Sequence, residues 1–207
     1  MTDNVSDDYR YHDGEMTWAL GYLWDPLKRV LDTRFPQPAS VFEIGCGNGS
    51  TANKLHELGW EVAGVDPSKT GIEMANRHFP QLRLEEGSAY DDLAGKYGRF
   101  PAVISLEVVE HVYDPRAFAR TVYELLDDGG VAILSTPYHG YLKNLALAVS
   151  GKMDDHFTAL WDGGHIKFWS RKTLSTLLRE TGFRGVEFLR VGRIPQLAKS
   201  MIAIAEK

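Results

Sequence analysis

The chain has 207 residues, 43% of them hydrophobic and 25% charged, which is enough apolar material for one sizeable core and too little chain for two full domains. A formal net charge of −5 gives no global basic field to gather phosphates, so DNA or RNA is disfavoured as the main partner. Cys46 is the only cysteine, which rules out an internal disulfide and a multi-cysteine zinc site and fits a reducing, cytoplasmic setting.

The first stretch, Met1 to Asp8, is polar and acidic, without the basic and apolar regions of a signal peptide. No run approaches the roughly eighteen apolar residues of a membrane span, so the expectation is a soluble protein that at most touches a membrane surface. Tyr11, Met16, Trp18, Leu20, Tyr22, Leu23, Trp24, Leu27, Val30 and Leu31 then form an aromatic-rich amphipathic pattern. It predicts one or two helices within residues 1–38, with Pro26 as a candidate break. Most of these rings are expected to pack, and Tyr11 or Trp18 is a candidate lid over a nearby cleft.

Val41-Phe-Glu-Ile-Gly-Cys-Gly-Asn-Gly-Ser50 reads as a buried strand, a tight turn and a helix start. Gly45, Gly47 and Gly49 remove side chains where the backbone must turn and approach a ligand. In a dinucleotide-binding turn a third glycine would stand at position 50, which is Ser50. Glu43 at the end of the strand is a poor neighbour for a diphosphate and a good one for an ammonium group. Asp66 closes the next apolar run, Glu61 to Asp66, where a carboxylate can accept from both hydroxyls of a ribose. A ligand with a ribose, an ammonium and no phosphate fits both acids, and S-adenosylmethionine (SAM) is such a ligand.

With these residues in place, Glu43-Ile-Gly-Cys-Gly-Asn-Gly49 and Val65-Asp66 resemble the first two motifs of the class I SAM-dependent methyltransferases, and the likeness runs from about Val41 onward. The resemblance implies a doubly wound, Rossmann-like α/β fold: a seven-stranded sheet, six strands parallel and one antiparallel, helices on both faces, and one domain over residues 1–207. It also implies a SAM site at Glu43, Gly45, Cys46, Gly47, Asp66, Pro67, Ser88, Ala89 and Leu106. Cys46 is expected to be small filler in the turn. Ser88 stands where the family leads one to expect an acid facing the adenine, and its hydroxyl can still donate or accept there. A nicotinamide-type turn and a non-catalytic relative are the alternatives.

The following segments alternate as an α/β sheet requires: strand 41–45, helix 51–58, strand 61–66, helix 68–78, strand 82–86 and strand 100–105. Glu107, Glu110 and His111 come next, at i, i+3 and i+4. On one helical turn all three point to one side beyond the carboxyl edge of the sheet, where they could hold a divalent cation such as Mg, Mn or Zn. Asp114 and Pro115 read as the cap and first residue of a helix to about Leu126. The Glu107–His111 segment is similar to one in the ubiquinone-biosynthesis O-methyltransferases and the small-RNA 2′-O-methyltransferases, some of which bind a metal. That likeness nominates His165, within Gly163–Arg171, as a further ligand beside Glu107, Glu110 and His111. The same histidines could instead flank the methyl acceptor without a metal, as catalytic residues, or be structural.

Asp127 to Pro137 reads as a turn and a fifth strand, after which the alternation stops. Residues 138–164 are too long and apolar for a plain connection and predict a helical cap over the substrate end of the cleft. Tyr141–Val149 could alternatively graze a membrane, although Lys143 is its only cation. Ser170 to Thr181 is a capped helix stopped by Gly182, and 183–191 with 197–205 form a closing antiparallel hairpin in which no chemistry is visible. Methyl transfer from a sulfonium is a displacement that asks the protein to align the reactants and exclude water. An oxygen acceptor also needs a base or a metal, and His111, His139, His156 and His165 supply candidates. The expected activity is therefore SAM-dependent O-methylation of a small, partly apolar molecule, with N- or S-methylation and non-catalytic SAM binding as alternatives.

Overall fold

The computed structural model describes residues 19–207; Tyr11, Met16 and Trp18, the lid candidates among them, lie outside the described residues. Alternation within the strands divides the core in two. Val41 faces one side of the sheet and Phe42 and Ile44 the other; Ala102 and Ile104 oppose Val103, and Val131 and Ile133 oppose Ala132 and Leu134. A strand apolar on both sides must be covered on both sides, and the helices do this.

In chain order the elements are α1 (Leu20–Arg34), β1 (Ser40–Ile44), α2 (Ser50–Glu57), β2 (Glu61–Asp66), α3 (Lys69–His78), β3 (Arg83–Glu86) and α4 (Leu93–Tyr97). Then come β4 (Phe100–Leu106), α5 (Pro115–Leu125), β5 (Leu126–Pro137), α6 (Tyr141–Val149), α7 (Met153–Phe157), α8 (Arg171–Thr181), β6 (Arg184–Val191) and β7 (Ser200–Glu206). Leu23, Leu27, Val30 and Leu31 of α1 join Ala52 and Leu55 of α2 and Ile72 and Ala75 of α3 on one face. Phe118 and Val122 of α5 and Leu174, Leu177 and Leu178 of α8 cover the other.

The seven strands lie in the order β3-β2-β1-β4-β5-β7-β6, with β7 antiparallel to both neighbours and the other six parallel, as expected. The winding direction reverses between β1 and β4, so the turns leaving their carboxyl ends diverge and open a crevice there.

Helix boundaries follow local chemistry. The Ser68 hydroxyl accepts from Gly71 N–H, Asp114 accepts from the Arg116 and Ala117 N–H groups ahead of Pro115, and Ser170 with Thr173 closes a capping box on α8. Three expectations are corrected. Pro26 does not break the first helix but sits inside α1, where it has no N–H to give to the carbonyl of Tyr22. The buried row Leu23, Leu27, Val30 and Leu31 offsets that loss. Asp127–Gly130 does not precede β5 but bulges within it: Phe100 pairs with Leu126 and Ala102 with Val131, so four residues loop out opposite Pro101. The closing strands flank a short 3₁₀ turn at Pro195–Leu197, and β7 begins only at Ser200.

Gly45, at φ 80°, would set a Cβ 2.3 Å from Cγ2 of Val108. Gly45→Ala is expected to cost about 2–4 kcal/mol, from left-handed strain plus overpacking. In urea unfolding, adding Val108→Ala should recover roughly half by removing the clash alone. A loss below about 0.5 kcal/mol would show that the turn is not held this tightly.

Candidate active site

A single cleft of about 1490 Å³ runs along the carboxyl edge of the sheet across the switch point. At one end lies the turn after β1. Gly45, Gly47 and Gly49 have φ values of 80°, 51° and 78°, a left-handed run that other residues enter at a cost of about 1–2 kcal/mol each. The N–H groups of Gly45 and Cys46 both donate to the Val65 carbonyl, at 2.8 and 3.1 Å. Asp66 accepts from Gly47 N–H and Ser68 N–H, each at 2.8 Å. The glycines also serve packing as much as ligand approach, because a Cβ at Gly49 would strike Leu84 and Ala75.

Glu43 is 2% exposed and its Oε2 has no hydrogen-bond partner among the described residues. Burial, reinforced by the charge of Asp66, pushes its carboxyl up to about 8. Burial likewise raises the Cys46 thiol, which is consistent with inert filler. Ser88 is fixed by its own loop: its N–H donates to Asp91 Oδ2 at 2.7 Å and its Oγ accepts from Tyr90 N–H at 3.2 Å. The nine residues expected to hold SAM, from Glu43 to Leu106, all line this cleft.

At the other end residues 107–111 form a turn rather than the expected helical turn. Glu107 leaves β4 at φ 55°, with its N–H donating to the Ser135 carbonyl at 3.1 Å and Oγ at 3.0 Å. This kink directs its carboxylate to the hydroxyls of Ser135 (2.8 Å) and Ser200 (3.2 Å), and Ser200 in turn meets the Tyr22 hydroxyl at 2.9 Å. Glu107 is thereby separated from the residues with which its spacing groups it. Burial raises its carboxyl to about 7, against the pull of both serine hydroxyls and Lys143.

Glu110, His111 and His165 do come together, with one ligand atom from each within 4.8 Å of the others. Glu110 is 1% exposed and neither carboxylate oxygen has a hydrogen-bond partner among the described residues; its carboxyl is driven well above the usual range by burial and by Glu107. His165 Nε2 stands 4.0 Å from Glu110 Oε1. His111 Nδ1 faces the carbonyls of Gly163 (3.0 Å) and Gly164 (3.3 Å), which only a protonated Nδ1 can satisfy, so Nε2 of a neutral ring carries the lone pair. The loop is stapled to this turn: Ile166 and Lys167 N–H groups donate to the Glu110 carbonyl, and Trp169 Nε1 donates to the Val109 carbonyl. Burial, with the charges of His111, His156 and Lys143, lowers His165 to about 4, and burial lowers His111 too. Both are neutral imidazoles at pH 7. An orphaned buried carboxylate facing two neutral imidazoles fits a divalent cation.

Of the other histidines, His156 lines the cleft, whereas His139 sits behind it, stacked 5.8 Å from Phe157 and edge-on to Phe168. The closing strands do contribute to the site: Arg193, Leu197, Lys199 and Ser200 reach the cleft, as does Lys143 of α6. Sequence spacing held no signal for these, since they meet the site only through the β5–β7 pairing and the α6 connection.

Residues 16–187 match a family model described as a methyltransferase domain. The ubiquinone biosynthesis O-methyltransferase of Cereibacter sphaeroides is 33% identical over 180 residues, 81% of this chain and 71% of that protein. Its counterpart from Azorhizobium caulinodans is 36% identical over 141 residues, covering 64% of this chain and 55% of that one. The chain thus spans from about half to about seven-tenths of the length of these relatives. The crystal structure of magnesium protoporphyrin IX methyltransferase from Synechocystis PCC 6803 with bound SAH shares the fold, with a TM-score of 0.66 at 20% identity over 88% of this chain and 81% of that one.

Because Glu43 keeps its proton up to about pH 8 when folded and releases it near 4.5 when unfolded, native stability should fall as pH rises between those values. The loss is on the order of 3–5 kcal/mol when complete. Glu43→Gln removes it, so the variant's melting temperature should vary less from pH 5 to 8.5 and exceed the parent's at the alkaline end. Parallel melting curves for the two proteins would mean that Glu43 is not held neutral.

Proposed function

Because the chain belongs to the methyltransferase-domain family, we propose that it is a SAM-dependent O-methyltransferase acting on a small, partly apolar molecule. The observation that carries this is the pair of carboxylates ending neighbouring strands, Glu43 buried without a partner for Oε2 and Asp66 closing the β1 turn. The ammonium of SAM next to Glu43 supplies the missing partner and restores the carboxylate's charge. A carboxylate has about four acceptor sites, so Asp66 can serve the ribose hydroxyls as well as two backbone N–H groups. Gly45, Cys46 and Gly47 offer backbone to the methionine portion, while Pro67, Ser88, Ala89 and Leu106 flank the nucleoside.

The acceptor hydroxyl sits at Glu110, His111 and His165. His111 Nε2 accepts its hydrogen bond, oriented by the grip of Gly163 and Gly164 on Nδ1. A phenol near pKa 10 facing an imidazole at or below 6.5 leaves proton transfer uphill by more than about 4 kcal/mol. The transfer must therefore run together with methyl transfer, or be assisted. A divalent cation held by Glu110, His111 and His165 would supply that assistance by stabilising the oxyanion. Residues 138–164, with α6 and α7, act as the cap that excludes water, and α1 closes the opposite side through Ala19, Leu20, Tyr22 and Leu23. The net charge of −5 supports a small acceptor over RNA.

One further feature supports peripheral contact with a lipid surface. No residue of α6 is buried, and its exposed side chains include Tyr141 at 79% and Val149 at 81%, with Leu142 and Leu145. No helix among the described residues is long and apolar enough to cross a membrane. Cosedimentation with zwitterionic vesicles should be reduced by Leu142→Ser with Leu145→Ser; equal recovery of parent and variant would remove this reading.

The function is tested with methyl-labelled SAM and a panel of diols, amines and thiols. Label is expected on oxygen, and it should drop by at least about a hundredfold in Glu110→Gln, a loss typical of a first ligand or a positioned acid–base group. Mn²⁺ titration by calorimetry should detect a site in the parent that Glu110→Gln lacks. Activity intact in EDTA would remove the cation and leave His111 as the proton acceptor; label only on nitrogen or sulfur would overturn the oxygen assignment.

A further inference from the structure

The acceptor end of the cleft carries positive charge that methyl transfer does not require. Lys143 of α6 and Arg193, in the connection between β6 and β7, line the same cleft as His111, His156 and His165. Lys143 is half-buried and its Nζ donates to the backbone carbonyl of Lys199 at 3.3 Å. Neither Lys143 nor Arg193 has an acidic side chain within 4.0 Å among the described residues.

The two charges also act on their surroundings. Burial, and after it Arg193, pulls the Lys143 ammonium down to about 8. Lys143 in turn helps to depress His139, His156 and His165. Glu107 is the acid whose charge Lys143 feels, and that carboxylate is bonded to the Ser135 and Ser200 hydroxyls. Two cations close enough to act on each other thus line the cleft of a chain whose net charge is −5. Arg193 is exposed to water, whereas Lys143 is half-buried beside it and only partly offset by Glu107, so an anion entering the cleft is favoured there.

We propose that Lys143 and Arg193 form a carboxylate subsite in the acceptor pocket, so that the methylated molecule is an acid carrying both a carboxylate and the reacting hydroxyl. The inference rests on the O-methyltransferase reading for the hydroxyl, and on the cation pair alone for the carboxylate. The guanidinium fork of Arg193 suits bidentate pairing with a carboxylate, and the ammonium of Lys143 adds a second charge in the same cleft. Ala146, Leu147, Trp161 and Ile166 line the same pocket and give the body of the acceptor an apolar surface. The occupant is thus a hydroxylated aromatic or similarly apolar acid, and a neutral phenol fills only part of the site.

The test compares 3,4-dihydroxybenzoate with catechol on the same 207-residue chain, so that general damage cancels in the ratio of kcat/KM. The parent should favour the acid by roughly tenfold or more, mainly through KM, as one charge-assisted contact predicts. Lys143→Met with Arg193→Gln should bring the ratio towards one, and Lys143→Arg, which keeps the charge, should retain it. A parent ratio near one, or a ratio unchanged in the double variant, overturns the subsite. If neither diol is methylated, calorimetric titration into protein saturated with S-adenosylhomocysteine decides. Tighter binding of the acid than of catechol, lost in the double variant, keeps the subsite and removes the oxygen-acceptor reading. Equal binding of the two overturns the subsite.

Discussion

A small set of backbone hydrogen bonds holds the cleft in shape. The Val65 carbonyl takes the N–H groups of Gly45 and Cys46, and the neighbouring Asp66 carboxylate takes those of Gly47 and Ser68. This clasp joins the turn after β1 to the turn after β2, and glycine alone follows the left-handed path it imposes without strain. The same path keeps side chains out of the space between β1 and β4, where Val108 already touches the Gly45 backbone. The clasp and the reversal of strand order together determine where a ligand can lie.

Into this frame the chain places two buried carboxyls with unmet oxygens among the described residues, Oε2 of Glu43 at one end of the cleft and both oxygens of Glu110 at the other. Each is buried to within 2% of its surface, and each is pushed towards its neutral form by burial. A buried acid with an unmet oxygen lowers stability, which makes both positions candidate ligand contacts. The ends differ in what can relieve them. Glu43 faces bare backbone and suits an organic cation, whereas Glu110 faces two imidazole nitrogens and suits a metal ion.

Much of this was legible in the sequence where chemistry is local. The apolar run Val41–Ile44, the alternating glycines, Asp66 at the end of β2, and the caps at Asp114 and Ser170 are set by neighbours within a few positions, and these appear as read. What the sequence misrepresented depends on contacts far along the chain. Glu107 has helical spacing to Glu110 and His111, but Ser135 and Ser200, 28 and 93 residues away, offer its carboxylate hydroxyl groups that a helical path would forgo. Pro26 has the local signature of a helix break, yet the apolar row packed on the sheet keeps α1 intact. Lys143 and Arg193 had no visible role because nothing in their own segments indicates that α6 and the β6–β7 connection meet over one cavity.

On the proposed reading, the two ends of the cleft take partners of opposite charge. SAM would bring its ammonium to Glu43 and its ribose to Asp66, while Lys143 and Arg193 would favour an acceptor with negative charge. In the transition state the sulfonium charge spreads towards the attacking oxygen as that oxygen loses electron density. Fixed groups that bring the reactants together with complementary charge lower the entropic part of the barrier before any bond changes. After transfer the donor's sulfur is a neutral thioether, so its attraction for an anionic acceptor is lost, while the contact of an ammonium with Glu43 would be unaffected. On the proposed reading, that asymmetry favours departure of the methylated acceptor before the donor product.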